Sequence, residues 1–219
     1  MAVYTDLGTE RLADLIAAYD VGDLVSAKGI AEGVSNSNWL IETSGKNGSG
    51  ERFILTMYER RIETSDLPFF LDLLDHLSAA GCPVPRTIHD REGASFRRVD
   101  GKAVALIEFL PGVSPTAPTA AQARAVGVAL ARMHAAAQDF PGTRENDLGP
   151  SQNCATLEAC GDTALARIDP GLPEIVERAR SLTASWPQDL PRSIVHSDLF
   201  PDNVLMLGDR VSGLIDFYF

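Results

Sequence analysis

The closing stretch of the chain constrains its folding more than any other. Two short apolar runs, Val204–Leu207 and Val211–Ile215, face each other across Gly208-Asp209. Runs separated in this way close as an antiparallel β-hairpin, because glycine accepts the positive φ that a tight turn demands. A hairpin folds back on itself. Asn203 at its entry therefore meets Asp216 at its exit, although 216 − 203 = 13 positions separate them. The entry itself is the polar loop His196-Ser-Asp198-Leu-Phe-Pro-Asp202-Asn203. The pairing predicts a site whose donors come from both ends of one hairpin.

Upstream, the pattern changes once. Leu12, Leu15 and Ile16 sit at helical spacing within Glu10–Tyr19. Strand-like runs follow at Leu24–Ala27, Asn38–Thr43 and Arg52–Tyr58, the last two joined by the glycine-rich turn Gly45–Gly50. Ser65 is expected to cap a helix with Pro68 in its first turn, an apolar stripe from Leu67 to Leu77, and Gly81 at its end. Two more strands are expected near Ser95–Arg98 and Ala103–Phe109, around Asp100-Gly101. Leu110-Pro111-Gly112 then marks a boundary. Beyond it, Thr119-Ala-Ala-Gln122 is a capping box for a helix to about Gln138, with further helices expected at Thr156–Ile168 and Leu172–Trp186. The predicted fold is α+β with two lobes: residues 1–110 form an antiparallel sheet with one inserted helix, and residues 111–219 are mainly helical.

Composition narrows the partners. The 219 residues carry 19 basic and 30 acidic side chains, a formal charge of −11. That balance argues against nucleic acid or an anionic membrane, since both reward basic patches. No apolar run approaches the roughly 20 residues of a membrane span, and the N-terminus shows no signal-peptide pattern. The three cysteines lack zinc-ligand spacing, so a reduced cytoplasmic protein is expected, monomeric or homodimeric.

The chemistry follows from the loop. Asp198 and Asn203 stand in D-x-x-x-x-N spacing, and Asp216-Phe217 supplies a second acid beyond the hairpin. Phosphoryl transfer to an alcohol needs such a set: one carboxylate to orient a hydroxyl and take its proton, and oxygen donors to hold Mg²⁺ on nucleotide phosphates. Asp198 is the candidate base, with Asn203 and Asp216 the candidate metal ligands. Histidine before such an aspartate packs and hydrogen-bonds, so His196 is read as a support. Gly29 to Asn38 lies where a turn would cover phosphates; Gly33, Ser35 and Ser37 are its candidate contacts, although the spacing is not G-x-G-x-x-G and an ordinary hairpin turn stays open. Glu108 and Leu110 are candidates for holding an adenine through their backbone, with a plain linker as the alternative.

Taken together these residues resemble the aminoglycoside-phosphotransferase-like kinases, a branch of the protein-kinase-like fold acting on small alcohols. Within that branch the chain is most similar to the bacterial homoserine kinases of the kinase-like type. The resemblance runs from Gly33-Val-Ser-Asn-Ser-Asn38 through Ile54-Leu-Thr-Met-Tyr-Glu59, Gly81-Cys-Pro-Val-Pro85 and Leu130-Ala-Arg-Met-His134 to the hairpin and Tyr218-Phe219. It implies ATP and Mg²⁺ as cofactors, L-homoserine as substrate and a step of threonine biosynthesis. Asp202, beside the metal-binding amide, becomes a candidate for holding the substrate ammonium. Another small-alcohol kinase (choline, aminoglycoside or sugar), or a nucleotide-binding module without catalysis, remain as alternatives.

Two departures from the kinase pattern stand out. The third strand should carry a phosphate-pairing lysine, yet Thr56 fills that slot, with Lys28, Arg60 and Arg61 as unassigned cations. Relatives also continue in helices beyond the acid-Phe pair. The resemblance therefore implies a C-terminally truncated chain that holds the phosphate machinery and lacks much of the alcohol pocket.

Overall fold

The computed structural model describes residues 7–30, 36–59 and 63–218. Helix α1 (Thr9–Ala17) buries Leu12, Leu15 and Ile16. Strands β1 (Leu24–Ile30), β2 (Asn36–Thr43) and β3 (Glu51–Tyr58) lead to helix α2 (Leu67–Ala79), followed by β4 (Thr87–Ile88), β5 (Arg97–Val99) and β6 (Lys102–Glu108). The sheet order is β1-β2-β3-β6-β4, with β5 also on β6, and every pairing is antiparallel. Alternation along β3 sorts its side chains between two layers. Phe53, Leu55 and Met57 pack towards α1, whereas Tyr58 and partly buried Ile54 pack towards Leu67 and Leu71 of α2. Strand β6 lies inside the sheet and is buried on both faces, so it reads as an unbroken apolar run from Ala103 to Ile107.

Helix α2 starts at Leu67 with no side-chain cap. Ser65 lies in the preceding turn, where its hydroxyl reaches Asp66 at 3.5 Å, so the expected cap is replaced by Pro68 in the first turn. The end matches the expectation: Gly81 adopts φ 76° and Cys82 N–H returns to the Leu77 carbonyl at 3.0 Å. The short strand β4 escaped the sequence pattern because two residues carry no periodicity.

Helix α3 (Ala120–Ala136) opens with the capping box. The Gln122 N–H donates to Thr119 Oγ1 at 3.2 Å, and the Thr119 N–H donates to Gln122 Oε1 at 3.0 Å. The helix expected over Thr156–Ile168 is two helices, α4 (Pro150–Cys160) and α5 (Asp162–Ile168). Gly161 separates them at φ 73°, ψ 147°, a conformation no helix accommodates. Together with α6 (Leu172–Ala184) they form the compact unit Thr143–Arg192, held by buried Cys154, Leu165 and Val176 and by Arg180 bonded to Glu158 at 2.9 Å.

The other unit joins residues 1–142 to 193–219, so the boundary expected at Leu110 falls inside it. Strands β7 (Val204–Leu207) and β8 (Arg210–Leu214) pair across Gly208 at φ 62°, one residue earlier on the second strand than the apolar run implied. Val204, Met206, Val211 and Leu214 share a core with Leu73, Leu74 and Leu77 of α2 and with Met133 of α3. The segment after β6 is stitched to this hairpin by a bridge between Val113 and Met206. A Cβ on Gly112 would come within 2.5 Å of Ser212 Oγ, which explains glycine at that close approach. Among the described residues no helix is long and apolar enough to cross a membrane.

One surface ion pair couples stability to pH. His89 Nε2 lies 2.6 Å from Asp75 Oδ2 and Nδ1 lies 3.0 Å from the Gly93 carbonyl. Both neighbours only accept, so the geometry selects the doubly protonated imidazolium. The Asp75 hydrogen bond first, then the Gly93 carbonyl, raise the His89 pKa above its usual 6.5. A raised folded pKa means the stabilisation is complete below pH 6.5 and is lost as pH rises through the folded value. The pair is partly solvated, so its contribution stays below about 1 kcal/mol. Thermal denaturation of the wild type and His89→Gln from pH 6 to 9 should show their difference in stability shrinking with pH. Parallel curves would remove the assignment.

Candidate active site

The hairpin builds the site from its backbone outwards. Ile215 N–H donates to the Asn203 carbonyl at 3.0 Å, closing the pairing just past β8. His196 Nε2 donates to the Ile215 carbonyl at 2.9 Å, which draws the incoming loop onto the same point. Residues Pro201–Asn203 form one 3-10 turn, with Asn203 N–H bonded to the Phe200 carbonyl at 3.0 Å and Phe200 N–H to the Asp198 carbonyl at 2.9 Å. Pro201 opens that turn with its fixed φ.

Asp198 and Asn203 meet directly. Asn203 Nδ2 donates to the Asp198 carbonyl at 2.7 Å and to its carboxylate Oδ2 at 3.3 Å. Both amide hydrogens are thereby committed to Asp198, and Asn203 Oδ1 is left as an acceptor. Two residues of the site take the left-handed conformation without being glycine: Ser197 at φ 59° and Asp216 at φ 64°. Such backbone is uncommon and gathers where a side chain must be aimed.

The electrostatics are those of crowded acids. Asp216 reaches the surface, yet protein atoms around its carboxylate reduce hydration. That loss, followed by the Asp198 carboxylate and with a smaller contribution from Asp202, raises its pKa above 3.8, while His196 opposes the shift. His196 is buried at 4% exposure, and burial lowers its pKa despite the Ile215 carbonyl and the two acids. It is therefore a neutral Nε2–H tautomer, its ring tilted 57° against Phe217 with centroids 4.6 Å apart. Among the described residues no group of three or more His, Cys, Asp or Glu converges as a metal cluster. One carboxylate plus one amide oxygen suits Mg²⁺, which keeps waters and phosphate oxygens in its shell, and a cation would relieve the repulsion at Asp216.

The other sequence candidates are dispersed. Gly33 and Ser35 lie outside the described residues, as do Arg60 and Arg61. Ser37 is fully buried and its hydroxyl donates to Glu59 Oε1 at 2.7 Å. Glu108 ends β6, its N–H bonded to the Arg86 carbonyl at 3.0 Å and its carboxylate accepting Arg86 N–H at 3.3 Å. Leu110 rests against Gly213 of the hairpin. Asp202 is exposed on the 3-10 turn, and its carbonyl accepts from Ser114 Oγ at 3.1 Å. Thr56, in the lysine slot, is buried and bonded to Asn38 Oδ1 at 2.9 Å. The sequence reading missed the edge-to-face contacts of Tyr218 with Tyr58 (5.1 Å) and Phe70 (5.6 Å), which join the residue two past Asp216 to β3 and α2. Period-2 alternation from Ile54 to Tyr58 was the available signal for Tyr58.

Comparison with known proteins gives this geometry a family. Residues 26–219 match the model of the "Phosphotransferase enzyme family". The homoserine kinase of Nitrobacter winogradskyi is 48% identical over the whole chain, which covers 66% of that protein, and the homoserine kinase of Acidiphilium cryptum is 47% identical with 67% covered. The chain thus spans about two thirds of the length of these relatives. Among solved structures, spectinomycin phosphotransferase in complex with ADP and spectinomycin superposes with a TM-score of 0.70 at 16% identity, covering 97% of this chain and 69% of that one. A microcompartment-associated aminopropanol kinase gives 0.63 at 19%, covering 96% and 69%. These structural likenesses speak for the fold alone. With the match extending from β1 through the Asp198–Asp216 hairpin, the chain belongs to the phosphotransferase enzyme family.

Proposed function

We propose that the protein phosphorylates the side-chain hydroxyl of L-homoserine with ATP, yielding O-phospho-L-homoserine and ADP in threonine biosynthesis. The observation that carries this reading is the hairpin closure that sets Asp216 beside the Asn203–Asp198 pair. Near-half identity to proteins named homoserine kinase supports the substrate. In this reading residues 1–110 are the nucleotide-binding lobe and residues 111–219 the catalytic lobe. A cytoplasmic setting belongs to the same reading.

Asp198 orients the homoserine hydroxyl and accepts its proton as the hydroxyl oxygen bonds to the γ-phosphorus and the bond to the ADP oxygen breaks. Asn203 holds the Asp198 carboxylate through Nδ2, so the base is aimed before substrate arrives. Asn203 Oδ1 and the Asp216 carboxylate would hold Mg²⁺, which when bound would neutralise charge on the phosphate oxygens. His196, uncharged and buried, holds the Ile215 carbonyl and so the turn that aims Asp216. At the adenine, the Leu110 backbone has no hydrogen-bond partner among the described residues and is available to the base, with Glu108 at the end of β6. Gly33 and Ser35 contact the phosphates. Ser37 serves from behind, because its hydroxyl is taken by Glu59. Asp202, exposed beside the metal-binding amide, receives the substrate ammonium.

In the full-length protein, Asp198→Asn should lower homoserine turnover by about 10²- to 10⁴-fold, while the affinity for MgATP measured by calorimetry stays within about twofold of wild type. Turnover unaffected by the substitution would take Asp198 out of its role. Asp202→Asn should raise the KM for homoserine more than it lowers kcat in steady-state assays; a KM that does not move would refute the ammonium contact.

A further inference from the structure

A buried carboxylate outside the reacting groups ties together three strand ends at one end of the sheet. Glu59 follows β3 directly, and its side chain is only 5% exposed. One of its oxygens accepts from Ser37 Oγ, 2.7 Å away on β2, and the other pairs with Lys102 Nζ at the start of β6. Ser37 is fully buried and is the second residue of β2, just after the connection from β1. The registers place these residues together: Ser37 opposes Met57, and Met57 opposes Val104, two residues beyond Lys102. A carboxylate this dry is costly unless both oxygens are satisfied, and here a hydroxyl and an ammonium satisfy them.

The clamp sits behind the site. Ser37 and Asn38 are consecutive, so their side chains point to opposite faces. Ser37 faces Glu59, and Asn38 accepts from Thr56 Oγ1 at 2.9 Å on the face that packs towards α2 and Tyr218. Thr56 stands where a kinase keeps its phosphate-pairing lysine, so this sheet brings no cation to the phosphates from that slot. Affinity for the phosphates then depends more on how firmly the first residues of β2 are held. We infer that Glu59, bridging Ser37 and Lys102, is a positioning residue that presets the β2 entrance for the nucleotide phosphates. This rests on the phosphotransfer reading above.

The test uses two probes, MgATP and adenosine, titrated calorimetrically against wild type, Glu59→Gln and Lys102→Arg. Glu59→Gln should weaken MgATP about tenfold and leave adenosine within about twofold, because the adenine contacts lie at the far end of β6. Lys102→Arg, which keeps the charge, should retain MgATP affinity. Should Glu59→Gln fail to fold, the double variant Glu59→Gln/Lys102→Met removes both charges and should show the same split. Equal weakening of both probes would mark a merely structural residue and overturn the inference. Unchanged MgATP affinity in a folded variant would overturn it too, leaving the phosphotransfer reading intact. A wild type that binds no MgATP would overturn both.

Discussion

A single backbone hydrogen bond, from Ile215 N–H to the Asn203 carbonyl, is what the rest of the site depends on. It extends the β7–β8 ladder by one step and turns two distant stretches of sequence into one local structure. Without it, Asp216 would have no fixed relation to Asn203 or, through the Asn203 amide, to Asp198. The carbonyl of the same residue accepts from His196, so Ile215 joins the hairpin to the loop that carries Asp198. The left-handed backbone at Asp216 and Ser197 is tolerated because both sides of each residue are held.

The hairpin in turn needs something to lie on. Helix α2 supplies it by being apolar on two sides: Leu67 and Leu71 pack towards the sheet, and Leu73, Leu74 and Leu77 pack towards Val204, Met206 and Leu214. Each fully buried leucine contributes on the order of 1.5–3 kcal/mol of transfer free energy, so the helix is held from both directions. Tyr218 adds an aromatic contact to Tyr58 and Phe70. Asp216, the third strand and the helix therefore belong to one packed body.

Much of this was legible in advance. Two apolar runs around a Gly-Asp turn announced the β7–β8 hairpin, and Thr119 with Gln122 announced the cap of α3. These are local patterns whose partners lie within a few residues. The errors share the opposite character. The Thr156–Ile168 helix broke at Gly161 because the periodicity on either side concealed a change of backbone conformation. The hydrogen bond from Ser37 to Glu59 was equally hidden, because Glu59 follows β3 and lies 22 residues away in sequence. Nothing near Lys102 in sequence hints at Glu59 either.

The sequence alone determined which chemical groups are present and which of them a short turn would join: Asp198, Asn203 and Asp216, gathered around one hairpin. It could do so because hairpin closure is a local event, settled by turn residues and the apolar runs that flank them. Tertiary structure decided how those groups are held and which candidates are spent elsewhere. Asn203 commits its amide hydrogens to Asp198, His196 is dried into a neutral support, and Ser37 faces a buried carboxylate. Those outcomes depend on burial and on hydrogen bonds between strands distant in sequence, and they exist only once the sheet, α2 and the hairpin have packed.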